Sequence, residues 1–322
     1  MLDRRTSLLA LASLATLSPS AARANNGAPL RLLVGFPPGG GTDAIARVLA
    51  ESLQPLLGQT VIVENKPGAG GQLAAQALKA AAPDGNTLFL SHDHSISILP
   101  LTLKNPGFNP QQDFAYVAGF ATFANAVALS GGTQASNFKD YIALLKRQGG
   151  RGNVGIPAAA SVPEFLVKTF GEKFGLELVA APYRGSAPML QEMMGNQIGA
   201  GVGSVPDFIT AHRDGKIRIV GVMGRERQGL LPDVPTFAEL GLKGFEELPY
   251  YGLFAPAGTP AAVQQRISTA LAKVLADRSV YARLTALGLS VAHVPGEELA
   301  KRERAYSATW AGIMKAAGFK PQ

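Results

Sequence analysis

Apolar positions recur along this chain at two alternating periods, and the alternation predicts strands and helices in turn. Residues 32–34 (Leu-Leu-Val) read as a short buried strand, and a Pro/Gly loop follows at 36–41. Residues 43–57 then place Ile45, Val48, Leu49, Leu53 and Leu56 at helical spacing, with Gly58 as the stop. Thr42 or Asp43 is expected to cap this helix. A strand at 60–64, a second glycine loop at 66–71, a helix at 72–81, a turn at 83–85 and a strand at 87–90 complete the unit. The order predicts a parallel, doubly wound sheet, which binds ligands at the carboxyl ends of its strands. Both glycine loops and residues 91–97 belong to that rim.

A long β-rich run (114–129) leads into a second alternation. Helices are expected at 138–147, 163–174, 186–194 and 205–214, and strands at 153–156, 176–180, 199–202 and 217–222. Residues 231–242 and 250–256 carry the chain onward to helices at 260–276, 280–287 and 297–317. These last helices have no strands of their own in the pattern and are expected to return to the first sheet. The resulting fold class is α/β: two doubly wound lobes joined by two crossings, with a cleft and a hinge between them. The expected partition is a signal peptide at 1–24, a first lobe from 25–122 plus 231–322, and a second lobe at 123–230.

Residues 1–24 have a basic start (Arg4, Arg5), an apolar run (8–17) and a small-x-small site at Ala22-Arg23-Ala24, the layout of a cleaved export signal. No later stretch is long and apolar enough to span a bilayer. An exported, periplasmic protein is therefore expected. The 322 residues are 47% hydrophobic, ample for a large core. The net charge of +7 is scattered and aromatics are only 7%, which leans towards anionic ligands and away from nucleic acid. Cysteine is absent, which excludes disulfides, thiolate nucleophiles and cysteine metal sites.

Candidate chemistry is sparse. The first loop opens a helix whose free amides and dipole make an anion seat, or else it is only a tight turn. It lacks the Lys-Ser/Thr of a P-loop and the dinucleotide spacing. His92-Asp93-His94, if extended, puts both imidazoles on one face. They could contact a polar ligand, cap the loop, or serve a metal or acid–base role. No HExxH or similar companion is present, so neither a metal nor a cofactor is expected. His212 and His293 read as surface residues, and Met189, Met193 and Met194 as core. Ser161 and Ser204 have no recognisable base nearby, and no GxSxG elbow occurs. Two anion-friendly loops without a catalytic constellation favour binding over an enzyme.

Six motifs in order carry a resemblance: FPPGGGTDAIAR, VIVENKPGAGGQLAAQAL, APDGNTLFL, APYRGSAPML, LPDVPTFAELGL and LFAPAGTP. Together, over about residues 29–319, they resemble the extracytoplasmic solute receptors of tripartite tricarboxylate transporters, the Bug or TctC type. The resemblance implies a hinged clamshell of the periplasmic binding protein type II kind, a monomer that closes on a small organic acid and presents it to membrane permease subunits. It also implies that main-chain amides and waters near the first loop hold a carboxylate. By this resemblance Phe36, Pro38, Gly39, Gly40, Thr42, Asp43, Tyr183, Arg184 and Ser186 are ligand-binding candidates. The second-lobe loop departs from the family pattern. Where hydroxyls are common it reads Pro157-Ala158-Ala159-Ala160-Ser161, with Glu164 at a histidine position, and Val202-Gly203-Ser204 replaces Phe-Asp-Asn. Ala159, Ser161 and Ser204 stay on the candidate list with His92 and His94. The altered wall implies changed ligand choice, towards one carboxylate on a less polar or aromatic body. The alternatives to a transport receptor are a sensor module with the same cleft and, further off, an exported enzyme.

Overall fold

The computed structural model describes residues 27–316 and 318–321; the expected signal peptide lies outside them. The first lobe begins with β1 (Leu30–Val34), α1 (Gly41–Leu57), β2 (Val61–Asn65), α2 (Gln72–Lys79) and β3 (Thr87–His92). A π-helical turn (His94–Ile98) and the short α3 (Leu99–Thr102) and α4 (Pro110–Asp113) lead to β4 (Phe114–Thr122). The chain then crosses into β5 (Asn125–Ser130), α5 (Phe138–Arg147), β6 (Arg151–Ile156), α6 (Val162–Phe174), β7 (Glu177–Pro182), α7 (Ser186–Met194), β8 (Ala200–Ser204), α8 (Val205–Arg213) and β9 (Ile217–Val222). It returns through β10 (Tyr250–Pro256), α9 (Ala261–Ala276), α10 (Arg278–Ala286), β11 (Ser290–Pro295) and α11 (Gly296–Ala316).

Two sheets result, ordered β11-β4-β10-β3-β1-β2 and β7-β6-β8-β5-β9. They are mixed rather than purely parallel. β1 pairs in parallel with β2 and β3, and β6 with β7 and β8. The crossing strands run the other way: β10 is antiparallel to β3 and β4, and β5 to β8 and β9. A strand that brings the chain back from the opposite lobe enters without a helical crossover, so it need not be parallel. The C-terminal segment also carries β11, antiparallel to β4, where only helices were expected. Its two valines, Val291 and Val294, stand three residues apart and show no strand alternation to read.

The alternation in β1 decides the layers. Leu30, Leu32 and Val34 pack with Ile45, Leu49 and Leu53 of α1 and with Ile267 and Leu271 of α9. Leu33 faces the opposite core with Phe89 and Leu78, and that core continues into the second lobe. At the crossings, the Phe123 amide donates to Pro249 O at 3.2 Å and the Met223 amide to Asn125 O at 2.7 Å. A further bridge comes from α11, where Trp310, 2% exposed, stands 5.9 Å from Phe165 and 6.4 Å from Phe245. Residues 231–242 lie against the second sheet: the Phe237 amide donates to Val222 O at 2.8 Å, and Phe237 packs 5.5 Å from Phe170. Met189 and Met193 are buried as expected, whereas Met194 is 36% exposed. His212 and His293 are half-buried, not simply on the surface, because each has found a partner. The Ile219 amide donates to His212 Nδ1 at 3.3 Å, and Ser268 Oγ lies 3.0 Å from His293 Nε2.

Candidate interlobe binding site

Helix α1 starts at Gly41, one residue before the expected cap. Its cap residue is Gly40, which has no side chain to offer. The capping groups are carboxylates, one from the helix's own first turn and one from the opposite lobe. Asp43 Oδ2 accepts the Gly39 amide at 3.0 Å, and its carboxylate is also held by Arg47 and by Asn65 Nδ2. Burial opposes ionisation of Asp43, but the bonds from Arg47, Gly39 and Asn65 outweigh it and hold its pKa below the ordinary value. Asp207, at the start of α8 in the second lobe, reaches across the cleft. Its Oδ1 accepts the Gly41 amide at 3.0 Å and the Ser186 hydroxyl at 2.6 Å. Its Oδ2 accepts the Ser204 hydroxyl at 2.7 Å and the Ser204 amide at 3.2 Å, closing a capping box. A carboxylate of the second lobe therefore sits on the positive end of the first helix, where an incoming anion would go. The contact is close: a Cβ added to Gly41 would stand 2.9 Å from the Pro206 carbonyl carbon, and one added to Gly40 2.8 Å from Ser186 Oγ.

The second-lobe loop repeats the device. Ala160 has a left-handed backbone (φ +51°), and its amide donates to Glu164 Oε2. Ser161 donates its own hydroxyl back to Ala158 O at 2.6 Å. Three amides suited to anions, those of Gly39, Gly41 and Ala160, thus already carry internal carboxylates.

Two cavities lie between the lobes. The inner chamber is about 50 Å³ and is lined by Phe36, Gly40, Thr42, His92, His94, Ser161, Ser186 and Ser204 among the expected residues. Sequence reasoning missed Asp93, Phe123, Asn125, Asp207 and Tyr251, which line it too. At 10–15 Å³ each, roughly three to five waters fill that volume, so a larger solute enters only if the lobes part. The outer vestibule is about 730 Å³ and takes Ala159, Tyr183 and Arg184. Phe36, Pro157 and Ala158 border both spaces and form the threshold between them. Pro38, Gly39 and Asp43 border neither; Pro38 is exposed, and Asp43 is buried behind the loop.

The chamber is aromatic. His92 stacks on Phe36 at 5.1 Å and meets Tyr251, its antiparallel partner on β10, edge-on at 5.3 Å, with Phe123 at 5.7 Å. Thr42 Oγ1 and Tyr251 OH are 3.0 Å apart. His92 Nδ1 is 3.2 Å from Asp93 Oδ1, and Tyr306 of α11 donates to Asp93 Oδ2 at 2.9 Å. The two imidazoles do not reach the chamber as alternate residues of one strand. β3 ends at His92, and His94 opens the π-helical turn, stacked at 6.4 Å from His92. The turn lies against the second glycine loop, where Ser95 Oγ donates to Gly70 O at 2.8 Å. Gly70 is left-handed (φ +65°), and a Cβ there would collide with His94 Nε2. His94 is 5% exposed, and neither ring nitrogen has a hydrogen-bond partner. Burial, helped by neighbouring His92, pushes its pKa down to about 4. Among the described residues no group of three or more His, Asp or Glu side chains is placed to hold a metal. Nor is any helix there long and apolar enough to cross a membrane.

Two mixed α/β lobes with a chamber shared between them define the class of clamshell binding proteins. The match to known sequences is more specific. Residues 45–319 fit the tripartite tricarboxylate transporter family receptor model, and the chain belongs to that family. It is 29% identical over 297 residues to protein BugT of Bordetella pertussis, covering 91% of this chain and 90% of that one. Among solved structures, the periplasmic binding protein BugD superposes with a TM-score of 0.85 at 32% identity, over 91% of this chain and 99% of BugD. MatC of Rhodopseudomonas palustris, solved with bound malate, gives 0.82 at 27%, over 88% and 98%. An R. palustris protein solved with adipate gives 0.86 at 27%, over 91% and 98%. The Ser204-x-x-Asp207 spacing is a capping-box signal that could have brought Asp207 to notice.

Proposed function

We propose that this protein is a periplasmic receptor that captures a small organic acid between its lobes and delivers it to a tripartite tricarboxylate-type permease. The observation that carries this is the chamber itself: groups from both sheets line one space, so a solute held there contacts both lobes only when they are closed. Its binding energy then favours closure, which is the signal a membrane partner can read. The adipate and malate in the two R. palustris relatives support a carboxylate as the solute. A micromolar affinity, about −8 kcal/mol, suits capture followed by release. The receptor acts as a monomer, with hinge segments at residues 123–124 and 248–249.

The lining favours one carboxylate on an aromatic or weakly polar body. Phe36, Phe123, His92 and Tyr251 offer ring faces and edges, and aromatic pairs contribute about 0.5–1.5 kcal/mol beyond area burial. Arg184 in the vestibule offers an approaching anion a positive charge. A thermal-shift screen on protein unfolded, washed and refolded tests this reading. Benzoate raises the melting temperature and citrate does not. The reverse order refutes the aromatic preference, and no response to benzoate, adipate, malate or citrate refutes the carboxylate receptor.

A further inference from the structure

The chamber contains a contradiction that one residue resolves. Its lining holds two carboxylates, Asp93 and Asp207, and among the described residues neither lysine nor arginine. Both carboxylates are hydrogen-bonded to the protein, and the first-turn amide of Gly41 is spent on one of them. A ligand carboxylate would arrive as a further negative charge with no cation to meet it. The one lining side chain with unspent polar atoms and no access to solvent is His94, whose Nδ1 and Nε2 both lack partners. Buried polar atoms are normally paired; the His94 ring lines the chamber with both nitrogens covered, Nε2 by the Gly70 backbone, so it is an orphaned imidazole at the chamber wall that a small turn of the ring would bring to a ligand.

We infer that His94 receives the ligand's carboxylate and takes up one proton as the carboxylate enters. The inference rests on the carboxylate-receptor reading above and adds the group that sets its pH dependence. A neutral ring offers one N–H; the protonated ring offers a charge-assisted bond and cancels the charge brought in. Burial, with His92 beside it, keeps the ring neutral with its pKa near 4, and a bound anion shifts the balance towards the charged form. The groups facing His94 are few. From its own strand and turn come His92 and Asp93; Tyr306 of α11 bonds Asp93, and Tyr251 of β10 and Asp207 share the chamber lining. Of these, Asp93 favours the protonated ring and His92 opposes it. The glycine loop packed on the ring adds no titratable group, because Gly68, Gly70 and Gly71 flank Ala69. His94 thereby selects for anions that accept a hydrogen bond at the end of an aromatic slot, and it makes capture stronger in mildly acidic surroundings.

The test uses the mature chain labelled with ¹³C-histidine, titrated by NMR with and without saturating benzoate. His94 is identified by the resonance lost in His94→Gln, or by elimination with His92→Gln, His212→Gln and His293→Gln if that variant does not fold. The expected result is a midpoint near 4 in the free protein that moves up by more than one pH unit with benzoate. Benzoate affinity then rises by up to tenfold per pH unit as pH falls from the bound midpoint towards the free one, and the slope disappears in His94→Gln. Benzoate bound with an unmoved His94 midpoint, or with the same slope in the variant, overturns this inference and leaves the receptor reading standing. No binding of benzoate, adipate or malate overturns both.

Discussion

The carboxylate of Asp207 on the Gly41 amide predicts that the lobes hold together without a ligand and that Asp207→Asn loosens them. The substitution keeps the side chain's size and one oxygen but removes the charge. The lost interaction is the charged part of one cross-lobe hydrogen bond, which is about 1 kcal/mol above a neutral bond. A negative charge at the start of a 17-residue helix adds about 0.3–1 kcal/mol, more when partly buried. The two together give about 2 kcal/mol, a shift of roughly thirtyfold towards open lobes. The chain has no native cysteine, so two can be placed without ambiguity. Ala262→Cys on exposed α9 and Lys139→Cys on exposed α5 report the separation by spin-label distance or single-molecule transfer. The variant broadens the distance distribution and moves it outward. Ser204→Ala, which breaks only the capping box inside the second lobe, lowers the melting temperature and leaves the distance alone. Identical distributions in wild type and Asp207→Asn would refute the latch and the electrostatics behind it.

Acid reaches His94 through the unfolded state. The folded ring holds its pKa at about 4 against an ordinary 6.5, so between these values the unfolded chain binds a proton that the folded one excludes. Stability therefore falls as pH drops through that window, by up to about 3 kcal/mol at its lower end, and urea melts at pH 7 and 4.5 measure it; His94→Gln flattens the profile. Gly41→Ala drives a methyl against Pro206. It costs the closed form about 1–3 kcal/mol, seen as a larger radius of gyration in X-ray scattering and unchanged secondary structure. Trp310→Ala removes a ring that is 2% exposed between α11 and the second lobe. A loss of about 3–5 kcal/mol in denaturant unfolding is expected, and a loss below 1 kcal/mol would mean that α11 does not brace the lobes.

The helices and strands were legible where their periodicity was strong. Helix α5 with its Phe138, Tyr141, Ile142 and Leu145 stripe is one case, and strand β10, buried along its whole length, is another. Direction within the sheets was not legible, because side-chain periodicity does not mark whether a strand runs parallel or antiparallel to its neighbour. β11 was hidden in the run between two helices. At the site, the first loop and the paired histidines drew attention correctly as neighbours, yet for a partly wrong reason, since a π-helical turn and not an extended strand brings His94 inward. Asp207 was invisible as a partner of α1: 166 residues separate it from Gly41, and only the closed arrangement of the lobes joins them.

The interleaving of the first sheet sets an order of assembly. Strands β5 to β9 lie within residues 125–222 without interruption, so that sheet can form as soon as its own stretch has emerged. The other sheet cannot. Its central β10 separates β3 from β4, yet it arrives 128 residues after β4 has ended at Thr122 and Tyr250 has been made. Until then β3 and β4 present unpaired edges, which are templates for aggregation. A chaperone that shields nascent chains should meet this polypeptide at those edges.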